Sequence, residues 1–157
     1  MYVDAAHGRE PHQTASGFCK SRSGAMITAG GATIAAISSV QGATATSTFE
    51  AELYALALGV RVLLAIRKIY SFITGFTLPA SRVHCDNQSV IAQLERRDLS
   101  GRTRHIRIHL GFIFDAIDDS SIAVYFVRSN DNPADAFTAT EAPDRFKANV
   151  DAMLGNE

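Results

Sequence analysis

The chain has 157 residues, of which 46% are hydrophobic and 20% charged. That composition is typical of one ordinary folded domain and excludes a disordered chain. Lys and Arg number 15 against 16 Asp and Glu, so the formal net charge is -1. This balance argues against a strongly basic nucleic-acid binder, although charge can still be concentrated locally. We therefore expect a single domain over residues 1–157.

The chain carries no targeting signal that we can identify. Its N-terminus MYVDAAHGRE is too polar for a signal peptide, and charged residues interrupt the apolar stretch 60–76 too often for a transmembrane span. The cysteines Cys19 and Cys85 have no metal-binding spacing, and both lie in strand-like runs. We expect an intracellular protein, with no membrane association, whose two thiols are buried.

The first third of the chain predicts three strands. Tyr2-Val3-Asp4 is typical of the end of a strand, and residues 9–15 are predicted to be a polar loop. Residues 16–28 and 32–39 predict two strands around Ala29-Gly30-Gly31, because glycine tolerates the positive φ of a hairpin turn. The N-terminal part is therefore predicted to be an antiparallel meander.

The rest of the chain predicts helices that alternate with strands. Ser47 or Thr48 is placed to cap the first helix, and Asn132-Pro133 is typical of another helix start. The run SIAVYFV, residues 121–127, is apolar on both faces and predicts a buried strand. A meander followed by crossover units gives an α/β fold, a mixed sheet with helices on both faces. The predicted helices cover about 49–70, 87–94, 106–118 and, near the C-terminus, 141–157, and the predicted strands cover 81–85 and 121–127.

Four acidic positions fall where such a sheet could gather them. Asp4 closes the first predicted strand, Asp86 closes the fourth, and Asp135 lies in the first turn after the fifth. The first helix offers Glu50 or Glu52. Glu52 lies on the edge of the apolar stripe and Glu50 toward the wetter side, so Glu52 is predicted to face the sheet.

Clustered carboxylates repel one another and raise one another's pKa. A divalent cation removes that repulsion, and Mg²⁺ binds a few carboxylate oxygens while keeping several waters. Two such ions about 4 Å apart can activate a water and stabilise the leaving oxygen of a phosphodiester. Simpler explanations remain for each acid: Asp86 as a helix cap, Asp135 as a first-turn acid that favours the helix dipole, Glu52 as an exposed helix residue.

Four ordered blocks carry a resemblance to a known family. STFEAELYAL, VHCDNQSVIAQL, RTRHIRIHLGFI and VRSNDNPADAFT, with the opening DAAHG, TASGF and AGGA, resemble the ribonuclease H domain of copia-type LTR retrotransposon polyproteins over roughly residues 2–140. The resemblance implies a ribonuclease H-like fold, a five-stranded mixed sheet in the order 3-2-1-4-5. It also implies Mg²⁺-dependent endonucleolytic cleavage of the RNA strand of RNA–DNA hybrids during reverse transcription.

The resemblance places the catalytic, metal-binding acids at Asp4, Glu52, Asp86 and Asp135. Asp4, Glu52 and Asp86 would hold one Mg²⁺, and Asp4 with Asp135 the other, with Mn²⁺ as a possible substitute. The implied partners are an RNA–DNA hybrid and a reverse transcriptase domain of the same polyprotein. Two departures stand out: Ser38-Ser39-Val40-Gln41 replaces the family's basic residues after the third strand, and the first strand begins only three residues before Asp4, as if truncated.

The strongest local positive charge is the segment RRDLSGRTRHIR. Its arginines could bind phosphates of the hybrid, or could belong to a solvated loop and helix start. Its histidine could assist proton transfer, although hydrogen bonding at the helix start is the commoner role. Asn87 and Gln88 could read the ribose 2′-hydroxyl in the minor groove or satisfy backbone groups. The candidate nucleic-acid-binding residues are Asn87, Gln88, Arg102, Arg104, His105 and Arg107.

Two other functions remain open. A catalytically inactive ribonuclease H-like module from a decayed element would bind nucleic acid without cleaving it, and the two departures favour it. An integrase-like strand transferase would need its glutamate after the second aspartate. Neither Glu95 nor Glu141 lies in a convincing place for that role.

Overall fold

The computed structural model describes residues 1–11 and 19–138. The predicted helix in residues 141–157 lies outside the described residues. Within them, three α-helices share one hydrophobic core with a five-stranded sheet, and two short 3-10 helices follow the last strand. The elements are β1 (Tyr2–Pro11), β2 (Cys19–Ala29), β3 (Ala32–Val40), α1 (Thr48–Thr74), β4 (Ser81–Cys85), α2 (Gln88–Arg96), α3 (Arg104–Asp118), β5 (Ile122–Phe126), η1 (Ser129–Asp131) and η2 (Pro133–Phe137).

The sheet has the strand order β3-β2-β1-β4-β5, which confirms the predicted 3-2-1-4-5 arrangement. β1 pairs antiparallel with β2, and β2 pairs antiparallel with β3. β4 pairs in parallel with both β1 and β5. The turn between β2 and β3 contains Gly30 and Gly31 at φ values of 60° and 83°, a conformation that glycine adopts without a steric penalty.

β1 is longer than the sequence predicts. It runs from Tyr2 to Pro11, so Asp4 is its third residue and not its end, and part of the predicted loop 9–15 is strand. The pairing with β2 changes register between Ala6 and Glu10, and Gly8 adopts a φ of 61° there. The sequence of this half-strand is polar and shows no strand-like alternation, so it was predicted to be a loop. Its extended conformation comes from backbone pairing with β2.

The hydrophobic core lies between α1 and the sheet. α1 begins at the cap Ser47, whose side chain accepts a hydrogen bond from the Glu50 N–H, and ends at Gly75 with a φ of 71°. The helix approaches β1 so closely that a Cβ at Gly59 would lie 2.9 Å from Cγ1 of Val3. Among the described helices, none combines the length and apolar character needed to cross a bilayer. The fully buried core includes Val3, Ile27, Leu53, Leu56, Val60, Val83, Leu110, Ile113 and Ile122.

Two sequence predictions about burial are wrong. β5 is not buried on both faces, since Tyr125 and Phe126 are 47% and 45% exposed. β5 lies at the edge of the sheet and pairs only with β4 in the described structure, so it has a neighbouring strand on one side only. Cys19 is exposed at the first residue of β2, whereas Cys85 is buried as predicted.

η2 lies across β1 and β2 and is fixed there by Asn132. This side chain is 1% exposed, its Nδ2 donates to the Val3 carbonyl at 2.9 Å, and its Oδ1 accepts from the Ala134 N–H at 3.2 Å. Asn132 caps the helix and Pro133 follows it, as predicted, although the helix is a 3-10 helix. On β2, Gly24 leaves room for η2, because a Cβ there would lie 2.7 Å from Cγ2 of Thr138 and 2.9 Å from the Ala134 carbonyl oxygen.

We predict that Gly24→Ala destabilises the protein by about 1–3 kcal/mol, the usual range for an added methyl group in a packed site. The new Cβ must push η2 away from β2, because two of its three close neighbours lie under 3.0 Å. Urea unfolding measures the change. Gly42→Ala is the matched control, since a Cβ at that position meets no atom within 4 Å. Equal stability of the two variants would contradict the packing of η2 on Gly24.

Candidate metal centre

Three of the four predicted acids lie together. Ligand oxygens of Asp4, Asp86 and Asp135 are all within 4.8 Å of one another. Asp4 and Asp86 come together because Val3 on β1 pairs with Cys85 on β4. Each acid is the next residue after one member of that pair, so the two lie side by side at the same level of the sheet. Asp135 is the third residue of η2, which Asn132 fastens to Val3.

Glu52 joins the cluster from the helix side. Its carboxylate, the Cys85 thiol and a carboxylate oxygen of Asp86 also lie within 4.8 Å of one another. The four acids therefore form two overlapping groups that have Asp86 in common. The resemblance implies that Asp4 is shared between the two metal ions, and the charge of Asp4 is also the first of the charges that raise the pKa of Glu52.

Asp86 is not the cap of the helix that follows it. Asn87 occupies the cap position, and its Oδ1 accepts hydrogen bonds from the N–H groups of Ser89 and Val90 at 3.0 and 3.1 Å. Asp86 is half-buried, and its Oδ2 accepts from the Ser129 hydroxyl at 2.7 Å. The simpler explanation of Asp86 as a cap is therefore wrong, and the side chain of Asn87 is already engaged in capping.

Burial and mutual repulsion raise the pKa of two of these acids. Burial raises the pKa of Asp4 to about 6, opposed by the Thr138 hydroxyl that donates to its Oδ2, and the charges of Asp135 and Asp86 raise it further. Burial, followed by the charges of Asp4 and Asp86, raises the pKa of Glu52 to about 9. Both side chains therefore lie where a nearby positive charge would stabilise the ionised form.

The residues present fit a divalent cation. Glu52 is 7% exposed, and its Oε2 has no hydrogen-bond partner among the described residues. A buried carboxylate oxygen without a donor is costly unless a cation or a proton accompanies it. Carboxylate oxygens are the ligands that Mg²⁺ prefers, so the chemistry of the cluster suits that ion.

Glu50 does not lie on the wetter side of α1, and that prediction is wrong. It is 2% exposed, because α3 packs against its side of the helix. Although burial raises the pKa of Glu50, hydrogen bonds from the Tyr54 hydroxyl, from Thr46 and from His105 lower it to about 2. The donors lie 2.6 to 2.8 Å from its oxygens. Glu50 is thus a fully satisfied structural anion, unlike Glu52.

The predicted nucleic-acid-binding residues fall into two sets. Some already make contacts within the fold: His105 binds Glu50 Oε1 at 2.8 Å, and Arg102 stacks 4.7 Å from the Phe49 ring centroid and donates to Gln93 at 2.8 Å. The contact of His105 with Glu50 on α1 differs from the expected hydrogen bond at its own helix start, although the Thr103 hydroxyl lies 3.3 Å from the same ring nitrogen. The second set consists of Gln88, at the first residue of α2, and Arg104 and Arg107 in the first turn of α3. These residues are exposed, as Arg102 and His105 are.

Three polar residues near the acids were missed by the sequence argument. Thr138 and Ser129 donate hydroxyl hydrogen bonds to Asp4 and Asp86, and their only sequence signal is their place in the block VRSNDNPADAFT. Arg22 lies two residues before Gly24 on β2, and its guanidinium donates a hydrogen bond to Ser38 Oγ at 3.0 Å. Arg22 thus puts a positive charge at the segment 38–41, where basic residues were expected and are absent.

Comparisons with solved structures identify the architecture. The chain superposes on the crystal structure of LC11-RNase H1 in complex with RNA/DNA hybrid with a TM-score of 0.61 and 16% identity, covering 87% of this chain and 91% of that chain. A second structure of LC11-RNase H1, isolated from compost by a metagenomic approach, gives a TM-score of 0.61 and 16% identity, with 87% and 89% coverage. The fold is therefore ribonuclease H-like.

One sequence relative matches most of the chain. The chain is 30% identical over 128 residues to the Retrovirus-related Pol polyprotein from transposon TNT 1-94 of Nicotiana tabacum, across 82% of this chain. The chain spans about a tenth of the length of that relative, since the match covers 10% of it. No protein-family model matches the chain.

We predict that, without divalent cations, the protein loses stability as the pH rises from about 4.5 toward 9. The folded pKa values of Asp4 and Glu52, about 6 and 9, lie above their ordinary values of 3.8 and 4.5. The folded state then retains protons that the unfolded chain releases, so this stabilisation is complete below the ordinary values and is lost as the pH rises through the folded ones. Urea unfolding at several pH values with a chelator measures the slope, and added Mg²⁺ should flatten it.

Glu52→Gln tests the source of that slope, because glutamine cannot ionise. This variant should lose most of the decline above pH 6, since Glu52 is the acid with the higher folded pKa. Glu50→Gln is the matched control: it should lower stability but keep the slope, because the low folded pKa of Glu50 concerns only acid pH. An unchanged slope in Glu52→Gln would contradict the electrostatic description of the cluster.

Proposed function

We propose that this protein cleaves the RNA strand of RNA–DNA hybrids as a Mg²⁺-dependent endonuclease. The observation that carries the proposal is the pair of overlapping carboxylate groups, Asp4–Asp86–Asp135 and Glu52–Asp86, on a ribonuclease H-like sheet. The cluster offers the carboxylate ligands that the metal ions of such a reaction bind. It also contains a buried carboxylate, Glu52, whose ionised form a nearby cation would stabilise.

The proposed metal ligands are Asp4, Glu52, Asp86 and Asp135, for two Mg²⁺ ions or for Mn²⁺ in their place. Such ions activate a water and stabilise the leaving oxygen of an in-line phosphodiester hydrolysis. The protein's own part is to hold its acids in position. Hydrogen bonds from Thr138 to Asp4 and from Ser129 to Asp86 restrict the rotation of two carboxylates, and Asn132 fixes the helix that carries Asp135.

The proposed substrate is a hybrid because a protein of the same fold was solved with an RNA/DNA hybrid bound. Gln88 lies two positions after Asp86 and is exposed, so it is available to contact the minor groove and its 2′-hydroxyls. Arg104 and Arg107 are exposed on α3 and are available to bind phosphates. Asn87, Arg102 and His105 would contribute mainly by shaping this surface, since each is already hydrogen-bonded within the fold.

The proposed context is a copia-type retrotransposon. The sequence relative is a retrovirus-related Pol polyprotein of a tobacco transposon, and the match covers 82% of this chain. A reverse transcriptase domain in the same polyprotein is accordingly the proposed partner. It would generate the hybrid that this domain degrades.

The alternative is a catalytically inactive module that binds hybrid without cleaving it. The absence of basic residues at positions 38–41 favours it. Two observations count against the inactive module. Arg22 brings a guanidinium to Ser38 from the neighbouring strand, and all four acids are present. The inactive module therefore remains the second candidate.

We predict that the purified protein cleaves an RNA–DNA hybrid in Mg²⁺ or Mn²⁺ and that Asp86→Asn lowers the rate at least about 100-fold. Loss of an outer partner of a metal ligand usually costs about 10–100-fold, and loss of a shared ligand should exceed that. Gel analysis of labelled hybrid, with duplex DNA and duplex RNA in parallel, measures the rate and the selectivity. The control is Asp115→Asn, an exposed position on α3.

Two results would contradict the nuclease proposal. Cleavage that survives Asp86→Asn or a chelator would arise from another activity. Hybrid binding without turnover, even in Mn²⁺, would favour the inactive module instead. The gel and a parallel binding measurement on the same preparations distinguish these two outcomes.

A further inference from the structure

We propose that Cys85, with Glu52 and Asp86, forms a binding site for a thiophilic divalent cation such as Zn²⁺ or Cd²⁺. The site would overlap the proposed Mg²⁺ centre through the two acids, but it differs from that centre in chemistry because it includes a sulfur ligand. Binding of the soft cation does not require nuclease activity, so the proposal stands or falls separately from the proposed function.

The geometry brings one sulfur and two oxygens together. Cys85 Sγ and carboxylate oxygens of Glu52 and Asp86 lie within 4.8 Å of one another. Three protein ligands with a water in the fourth position is an ordinary arrangement for Zn²⁺, with sulfur at about 2.3 Å and carboxylate oxygen at about 2.0–2.2 Å.

Glu52 supplies an independent observation that points to a cation at this place. The side chain is 7% exposed, and its Oε2 has no hydrogen-bond partner among the residues that the structure describes. A buried carboxylate oxygen without a hydrogen-bond partner, beside a thiol and a second carboxylate, is suited to accept a cation.

The thiol decides which cations the site prefers. Mg²⁺ takes oxygen ligands and does not bind sulfur well, whereas thiolate ligands select zinc and softer ions. Coordination replaces the thiol proton of Cys85, which is released to water. Cys85 is completely buried, whereas Asp86 is only half-buried. The ion would therefore reach the sulfur by way of Asp86.

A bound soft cation would take Glu52 and Asp86 away from Mg²⁺. If the proposed nuclease function holds, Zn²⁺ would therefore inhibit cleavage, and excess Mg²⁺ would relieve the inhibition. The inhibition would weaken when the sulfur is removed.

The test is a titration of the full chain with Cd²⁺ in the absence of Mg²⁺, followed by the ultraviolet charge-transfer absorption of a cadmium–thiolate bond. The chain has two cysteines, so Cys85→Ser and Cys19→Ser form a matched pair of variants. We expect a band that saturates at one equivalent in the wild type and in Cys19→Ser and is lost in Cys85→Ser. Glu52→Gln keeps the thiol and should weaken Cd²⁺ binding at least about tenfold, because loss of even an outer partner of a metal ligand usually costs about 10–100-fold.

Several outcomes would overturn the proposal. These are a wild type without the band, a band that persists in Cys85→Ser or disappears in Cys19→Ser, and Glu52→Gln with wild-type affinity. Circular dichroism of each variant shows whether it is folded, and Glu52→Gln provides the decisive comparison if Cys85→Ser is not. Since absorption and not cleavage is measured, an inactive nuclease would leave this result unaffected.

Discussion

The parallel pairing of β1 with β4 determines the position of everything else in the candidate site. Because Val3 pairs with Cys85, the two residues that follow them, Asp4 and Asp86, are level on neighbouring strands. Asn132 then ties η2 to the Val3 carbonyl, which brings the third acid to the same place. A change of register by one residue would turn one of the first two acids to the opposite face of the sheet.

Ionisation of the four clustered acids lowers the free energy of unfolding when no cation is bound. Four acids converge at partly buried positions, and burial together with mutual repulsion raises the pKa of Asp4 to about 6 and that of Glu52 to about 9. Neutral donors limit the cost: hydroxyl groups of Thr138 and Ser129 bind two of the carboxylates. Such an arrangement is typical of a site that is completed by cations, because a purely structural carboxylate is satisfied by its own donors, as Glu50 is.

Much of the fold could be predicted from local patterns, and the failures have physical reasons. Residues 81–85 and the helix starts at Ser47 and Asn132 follow from alternation and capping, which are local signals. The burial of Glu50 could not be predicted, because a second helix, α3, covers a side of α1 that looks polar when the helix is considered alone. The polar half of β1 was missed because its pairing partner, not its side chains, makes it a strand.

The four acids could be chosen from the sequence, but their grouping around Asp86 depends on distances between strands and a helix. The most direct test of the central claim is a crystal structure of the protein soaked in Mn²⁺, with anomalous diffraction to locate the ions. The account predicts at least one manganese peak coordinated at about 2.1 Å by oxygens of Asp4, Asp86 and Asp135. Fully ordered carboxylates without any manganese peak among them would contradict it.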